Sequence, residues 1–413
     1  MTFTEADGVL QQAAARFGTP AFVYVFDEVI ARVARIRAAF GGRFGVSYAA
    51  KANPNHTILQ RMAALVDTLD ISSGGELERA LAAGWVPARI SFTGPAKRTA
   101  ELAAAVTRRV GEVVVESLSE ARELSGLAVA AGVVQPICVR IAPAYMPKGF
   151  GVRMSGRPSQ FGVDEEDLLP ALDVLMGLPG VALVGLHIYA GTQCLKAEAI
   201  AENFENFARI FRLAAEHADL RPKKLIFGGG LGIRYYERDA ELDLEAVGAQ
   251  VAETLDALKA DPRFAETALL VETGRYLVGE AGWYLAQVVR TKHSRGTEIC
   301  LLDGGMNHHL GAAGHLGTVI HRNYRHYKLG CPEAEATEQY ELVGPLCTTI
   351  DTMARRTSLP PLAEGDVVVF ANSGAYGLTS SPLYFISHPP PVEVLAEREG
   401  AGWRFSNISE VRG

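Results

Sequence analysis

Eight short apolar segments, separated by stretches with helical spacing, recur between residues 44 and 272 of this chain and then stop. The segments are 44–50, 68–72, 90–93, 112–116, 136–142, 182–189, 224–227 and 268–272. Helical spacing of apolar residues predicts helices over 75–83, 117–131, 165–176, 197–218 and 242–258. Eight strands with helices between them is the count of a (β/α)8 TIM barrel, although doubly wound sheets share the alternation. Beyond residue 283 the rhythm changes. Strands predicted at 284–289, 298–302, 339–343, 366–370 and 392–395 have no long helix between most of them, which reads as an antiparallel β-barrel domain. The early run 22–25 precedes the barrel and is expected to join this second domain. At 413 residues the chain is long enough for two domains. The expected division is 30–282 for the barrel, with 1–29 and 283–413 for the β domain.

Charge and cysteine usage narrow the setting. A net charge of -7 leaves no basic footprint for nucleic acid. The first residues carry Glu5 and Asp7 where a signal peptide needs positive charge. The most apolar stretch, 124–141, is interrupted by Gly126, Gly132, Gln135, Pro136 and Arg140, so no membrane span is expected. Cys138, Cys194, Cys300, Cys331 and Cys347 form no CxxC pair and no metal-ligand spacing. An odd, scattered set fits a reducing, cytoplasmic protein with no bound metal.

Polar or glycine-rich residues follow several of the predicted strands, and the C-terminal strand ends of such barrels carry the active site. Lys51 ends the first strand in Tyr48-Ala49-Ala50-Lys51-Ala52-Asn53-Pro54, where Asn53-Pro54 breaks the backbone. A lysine there is either a snorkelling surface residue or, partly desolvated, a Schiff-base nucleophile. Gly228-Gly229-Gly230 follows the seventh strand. It is either a plain turn or a cradle in which bare backbone approaches a phosphate. Glu272 ends the otherwise apolar eighth strand, and a buried carboxylate there needs a partner, either Arg275 or a protonated ring nitrogen. Lysine, cradle and carboxylate together meet the needs of pyridoxal 5′-phosphate: an amine for the aldehyde, a phosphate site and a charge for the pyridinium.

Six ordered motifs carry a resemblance: Tyr48-Ala49-Ala50-Lys51-Ala52-Asn53, Ser73-Gly74-Gly75-Glu76-Leu77, Gly228-Gly229-Gly230, Glu272-Thr273-Gly274-Arg275, Gly344-Pro345-Leu346-Cys347 and Gly374-Ala375-Tyr376. From about residue 21 to 391 the chain resembles the fold type III (alanine racemase-like) pyridoxal-phosphate decarboxylases, the group of diaminopimelate, ornithine and arginine decarboxylases. The resemblance implies an N-terminal barrel, a C-terminal β domain and a homodimer with shared active sites. It implies Lys51 as the Schiff-base lysine and Glu272 as the pyridinium partner, with Gly229, Gly230 and Tyr376 as phosphate contacts. Arg275 is implied for cofactor phosphate or substrate carboxylate, and Cys347 as a catalytic thiol donated across the dimer.

Two departures bear on substrate. Where the family has His-x-Gly-Ser after the sixth strand, this chain reads Tyr189-Ala190-Gly191-Thr192. Tyr189 then takes the position of the ring that stacks on the cofactor, and Thr192 that of the serine. His187 lies two residues earlier, on the same face of a strand. After the cysteine, diaminopimelate and ornithine decarboxylases place an acid suited to a distal ammonium, and here the residue is Thr348. Either Asp351 takes over or the substrate lacks that ammonium. The second option fits a narrower resemblance to the branch that decarboxylates an L-glutamyl carrier protein, carried by Pro158-Ser159-Gln160-Phe161-Gly162, His187–Gln193, Gly304–His309 and Asn372–Leu378. Over 306–327 that likeness is patchy. The expected activity is α-decarboxylation of an amino acid, free or carrier-bound. The alternatives are a free diamino-acid decarboxylase, an amino-acid racemase and a non-catalytic cofactor-binding protein.

Overall fold

The computed structural model describes residues 1–316 and 321–410, so part of the 306–327 segment lies outside the described residues. The chain forms two compact units, one of Val33–Gly232 with Glu241–Gly274, the other of Met1–Arg32, Ile233–Ala240 and Arg275–Gly413. Against the expected division at 30 and 282, the short helix Arg275–Val278 and the segment Ile233–Ala240 group with the β unit. Neither segment has an apolar period long enough to betray this in the sequence.

The first unit is a closed parallel barrel. Its strands are Gly45–Ala49, Thr68–Ile71, Ile90–Phe92, Glu112–Val115, Gln135–Ala142, Val181–Ile188, Lys224–Gly228 and Ala268–Thr273. Each pairs in parallel with the next, and Val271 opposite Val46 closes the ring. The strands read as nearly continuous apolar runs because helices cover the sheet outside while side chains fill it inside. Val114, Cys138, Ile226 and Leu270 form one interior cluster. Ser73 and Ser117 cap the helices that follow the second and fourth strands, each accepting from the amide three residues on. Two helices missing from the sequence reading, His56–Met62 and Thr99–Arg108, complete the alternation.

The second unit is a nine-stranded sheet with the helix Phe3–Phe17 packed against it. Ala21–Val25 lies at its centre, antiparallel to Gly282–Ser294 and parallel to Val392–Glu399. Most pairings are antiparallel. Two are parallel, Ala21–Val25 with Val392–Glu399 and Thr297–Leu302 with Glu338–Val343, so the sheet is mixed. The parallel pairs join strands far apart in the chain, which no local turn signal reveals. Three strands escaped the sequence reading: His326–Lys328, Thr352–Leu359 and Gly402–Asn407. The second carries exposed Arg355 and Arg356 mid-strand, which break the apolar alternation. Among the described residues no helix is long and apolar enough to cross a membrane.

Candidate active site

At the C-terminal end of the barrel, four strands deliver charged groups to one another. The first strand runs into a single 3-10 turn, Ala50–Ala52, which Asn53-Pro54 prevents from growing into a helix. That turn presents Lys51 with its side chain 40% exposed, its Nζ 3.5 Å from Oδ2 of the fully buried Asp70. The amine also stands 5.8 Å from the centroid of the Tyr189 ring. Asp70, on the second strand, accepts from Thr93 Oγ1 at 2.5 Å. Glu272, on the eighth strand, is 2% exposed. Its Oε2 lies 3.2 Å from Nε2 of His187, which the sixth strand buries completely.

Burial, reinforced by the nearby charge of Glu272, pushes Asp70 up to about 8. Burial works in the same sense on Glu272 but is outweighed there. The hydrogen bond and charge of His187, with the charges of Lys51 and Arg140, hold Glu272 down to about 2. The pair therefore divides into one neutral and one anionic carboxyl group around a reachable amine. Asp70 escaped the sequence reading as a site residue. The signal was an acid at the end of an otherwise apolar strand, in Asp70-Ile71-Ser72-Ser73-Gly74.

A carboxyl whose folded pKa is raised contributes stability that is present below its unfolded pKa and lost as pH rises through the folded one. The melting temperature of the cofactor-free protein should thus fall as pH rises from about 4 toward 8, and Asp70→Asn should flatten that slope. A thermal-melting series across this range checks it, and an unchanged slope in the variant would refute it.

The glycine loop is shaped by its neighbours. A Cβ on Gly228 would lie 2.4 Å from Tyr189 Cδ2, so the Tyr189 ring seats on bare backbone. Gly230 has φ +62, and a Cβ there would lie 2.7 Å from Phe150 Cε1. The Gly229 amide is already donated to the Glu272 carbonyl at 2.9 Å, so donors for a phosphate must come from Gly230 onward. Thr192 is half-buried on the two-residue strand Gly191–Thr192, which pairs with Val152–Arg153.

In the β unit, Arg275 Nη1 donates to the Tyr235 hydroxyl at 2.6 Å. Its guanidinium stands 4.7 Å from the centroid of the Tyr376 ring. Arg275 Nε is buried with no partner, an N–H left for an incoming anion. Tyr235 was not foreseen; its signal was the aromatic pair Tyr235-Tyr236 following the glycine loop. Cys347 is an exposed free thiol and Thr348 is half-buried beside it.

Asp351 corrects an expectation. It is 2% exposed, and its carboxylate accepts from the amides of Met306 at 2.7 Å and Leu346 at 2.9 Å. Both oxygens thus tie two loops together, and the acid is not free to meet a distal ammonium. Lys51, Tyr189, His187 and Glu272 do come together in the barrel, and Arg275 and Tyr376 do in the β unit. Among the described residues no group of three or more His, Cys, Asp or Glu could hold a metal ion.

These groups fit pyridoxal phosphate. In the barrel unit His187 Nδ1 is a buried polar atom without a partner, Tyr189 offers a flat face near Lys51, and Glu272 is a buried anion. Comparison with known proteins agrees. The chain is 32% identical over 392 residues to the L-glutamyl-[BtrI acyl-carrier protein] decarboxylase of Niallia circulans, covering 94% of this chain and 90% of that protein. It is 35% identical over 387 residues to a diaminopimelate decarboxylase of Deinococcus radiodurans, covering 94% and 92%. The crystal structure of diaminopimelate decarboxylase from Helicobacter pylori complexed with L-lysine matches with a TM-score of 0.84 at 27% identity, covering 97% and 95%. Residues 26–279, more than half the chain, match the family described as pyridoxal-dependent decarboxylase, pyridoxal binding domain. The barrel that carries Lys51, Asp70, His187 and Glu272 is that matched domain, and the chain belongs to the pyridoxal-dependent decarboxylases.

Proposed function

We propose that this decarboxylase acts on an aminoacyl group without a distal ammonium, such as glutamate held as a thioester on an acyl carrier protein. The observation that carries this is the loop after Cys347. Its one acid between residues 344 and 352 is Asp351, and both oxygens of Asp351 are taken by backbone amides. The similarity to the L-glutamyl carrier-protein decarboxylase supports the same choice.

When bound, pyridoxal phosphate supplies the electron sink that allows carbon dioxide to leave the α-carbon. The Lys51 amine would hold the aldehyde from its place 3.5 Å from Asp70 Oδ2. Glu272 presents the anion to the ring nitrogen, and His187 fixes its orientation from the barrel interior. A carboxylate there favours decarboxylation, whereas an arginine, as in alanine-racemase-type sites, weakens the sink. Tyr189 gives the stacking face, and Gly230, Thr192 and Tyr376 bind phosphate. Arg275 binds phosphate or the substrate carboxylate. The exposure of Cys347 supports a homodimer in which this thiol serves the partner's site, protonating the α-carbon after carbon dioxide departs. Five free cysteines support a reducing, cytoplasmic setting.

The test is kcat/KM for carbon dioxide release from meso-diaminopimelate, L-ornithine and L-lysine beside L-glutamyl-[BtrI acyl-carrier protein]. Losing a charge-assisted hydrogen bond costs about 1.5–3 kcal/mol, one to two powers of ten. The diamino acids should trail the glutamyl substrate by at least that factor, and Thr348→Glu should narrow the gap for diaminopimelate. Efficient turnover of any one diamino acid by the unmodified protein would overturn the reading.

A further inference from the structure

In a chain of net charge -7, residues 143–163 hold Lys148, Arg153 and Arg157 and no carboxylate. This stretch is a strap at the C-terminal end of the barrel. Its short strand Val152–Arg153 pairs antiparallel with Gly191–Thr192, just beyond the end of the sixth barrel strand. Two further backbone bonds fasten it there, Gly151 N–H to Thr192 O at 2.9 Å and Met154 N–H to Ala190 O at 2.8 Å. Its far end is anchored in the barrel. The Gly162 amide donates to Glu116 Oε2 at 3.0 Å, and the Arg140 guanidinium, itself paired with Glu116, sits 4.5 Å from the Phe161 centroid.

The inner side of the strap touches the glycine loop through Phe150, beside Gly230. The outer side is cationic. Lys148, Arg153 and Arg157 are exposed, and so is Lys196, whose side chain comes within contact distance of Gly149. Among the described residues Lys148, Arg153 and Lys196 form no ion pair; Arg153 is held only by a 3.4 Å bond to the Met146 carbonyl. Arg157 shares a surface pocket with Asp164, Glu166 and Asp167, so the unbalanced charge lies toward the tip. Two apolar side chains of the strap are also exposed, Tyr145 at 54% and Val152 at 43%. The Tyr145 hydroxyl donates to Glu202 at 2.6 Å.

Exposed cations with no ion-pair partner among the described residues, carried on and beside a strap with two exposed apolar groups, make it complementary to an acidic helix with an apolar ridge. Acyl carrier proteins are acidic helical proteins that present such a face beside their prosthetic thiol. We infer that the strap, through Lys148, Arg153 and Lys196 around Tyr145 and Val152, is the docking surface for the acidic carrier protein that delivers the aminoacyl thioester. The inference rests on the carrier-bound reading of the substrate and adds where the carrier sits. Its position at the strand ends that hold Tyr189 and Gly230 lets a tethered group reach past the strap to the site while the carrier stays outside. Charges of this kind govern encounter and KM more than the chemical step.

The holoenzyme is assayed on L-glutamyl-[BtrI acyl-carrier protein] and on L-glutamyl-pantetheine, which keeps the thioester arm but lacks the protein. The double variant Lys148→Glu with Lys196→Glu should raise KM for the carrier substrate about tenfold or more, leaving kcat and the pantetheine kinetics as they were. In the unmodified enzyme, salt should depress kcat/KM for the carrier substrate and not for the pantetheine one. Turnover of the carrier substrate with unchanged KM in the double variant and no salt dependence would overturn the docking surface while leaving the substrate reading intact. Release of carbon dioxide from free amino acids alone, with neither thioester consumed, would overturn both.

Discussion

Lys51→Ala is expected to fall silent. The variant should lose the cofactor's visible absorbance band, yield no borohydride-trapped link between cofactor and protein, and release carbon dioxide at least about a thousandfold more slowly. The expectation follows from the geometry at the strand end. Lys51 Nζ stands 3.5 Å from Asp70 and over the Tyr189 ring, and its side chain is 40% exposed. Fold loss is not the cause to fear, because truncating a half-exposed side chain opens no cavity in the core. A variant that still shows a reducible cofactor–protein link would remove Lys51 from the role. The same variant tests the shared site. Mixed with Cys347→Ala under conditions of subunit exchange, it should regain activity, because a hybrid dimer holds one site with both Lys51 and Cys347. Absence of recovery despite proven exchange would assign Cys347 to its own subunit's chemistry or to none.

Glu272→Gln is expected to separate chemistry from folding. Gln keeps the shape and can still bond His187, so the variant should still fold, at a melting temperature lowered by the loss of the charged pair. What it removes is the charge. Breaking a buried charged pair costs about 3–5 kcal/mol, or about two to four powers of ten in rate if the same charge holds the ring nitrogen's proton. The variant should therefore bind cofactor through Lys51 yet show kcat lowered by a hundredfold or more. An unchanged kcat would take Glu272 out of the electron-sink role. Because His187, Lys51 and Arg140 hold Glu272 near 2 against the effect of burial, its charge persists throughout the working pH range. Stability from a carboxyl with a depressed pKa is present above its unfolded value and lost as pH falls toward the folded one. The acid limb of stability, below about 4.5, should accordingly shift upward when the charge of His187 is removed, as in His187→Phe.

Much of this protein is legible one residue at a time. Continuous apolar strands alternating with amphipathic helices specify a barrel because both faces of each strand are covered. The strand-end placement of Lys51 and Glu272 follows from where those apolar runs stop, and the neutral Thr348 after the cysteine is plain in the sequence. Strand 352–359 was invisible because Arg355 and Arg356 face outward where alternation would place apolar groups. Chain separation decided the rest. His187 finds Glu272 across 85 residues, Asp351 finds Met306 across 45, and Lys51 finds Asp70 across 19. Apolar periodicity reports which face of a segment is buried, a property of neighbours in the chain. Whether a buried carboxyl is anionic, neutral or spent on backbone amides depends on which strand ends the closed barrel and the folded loops bring within 3–4 Å, and hydrogen-bond and Coulomb energies fall away over that distance. So the sequence alone determined the barrel and placed Lys51 and Glu272 at its strand ends. Only the tertiary structure decided that His187 orients the anion, that Asp70 stands beside the amine, and that Asp351 is withdrawn from the substrate.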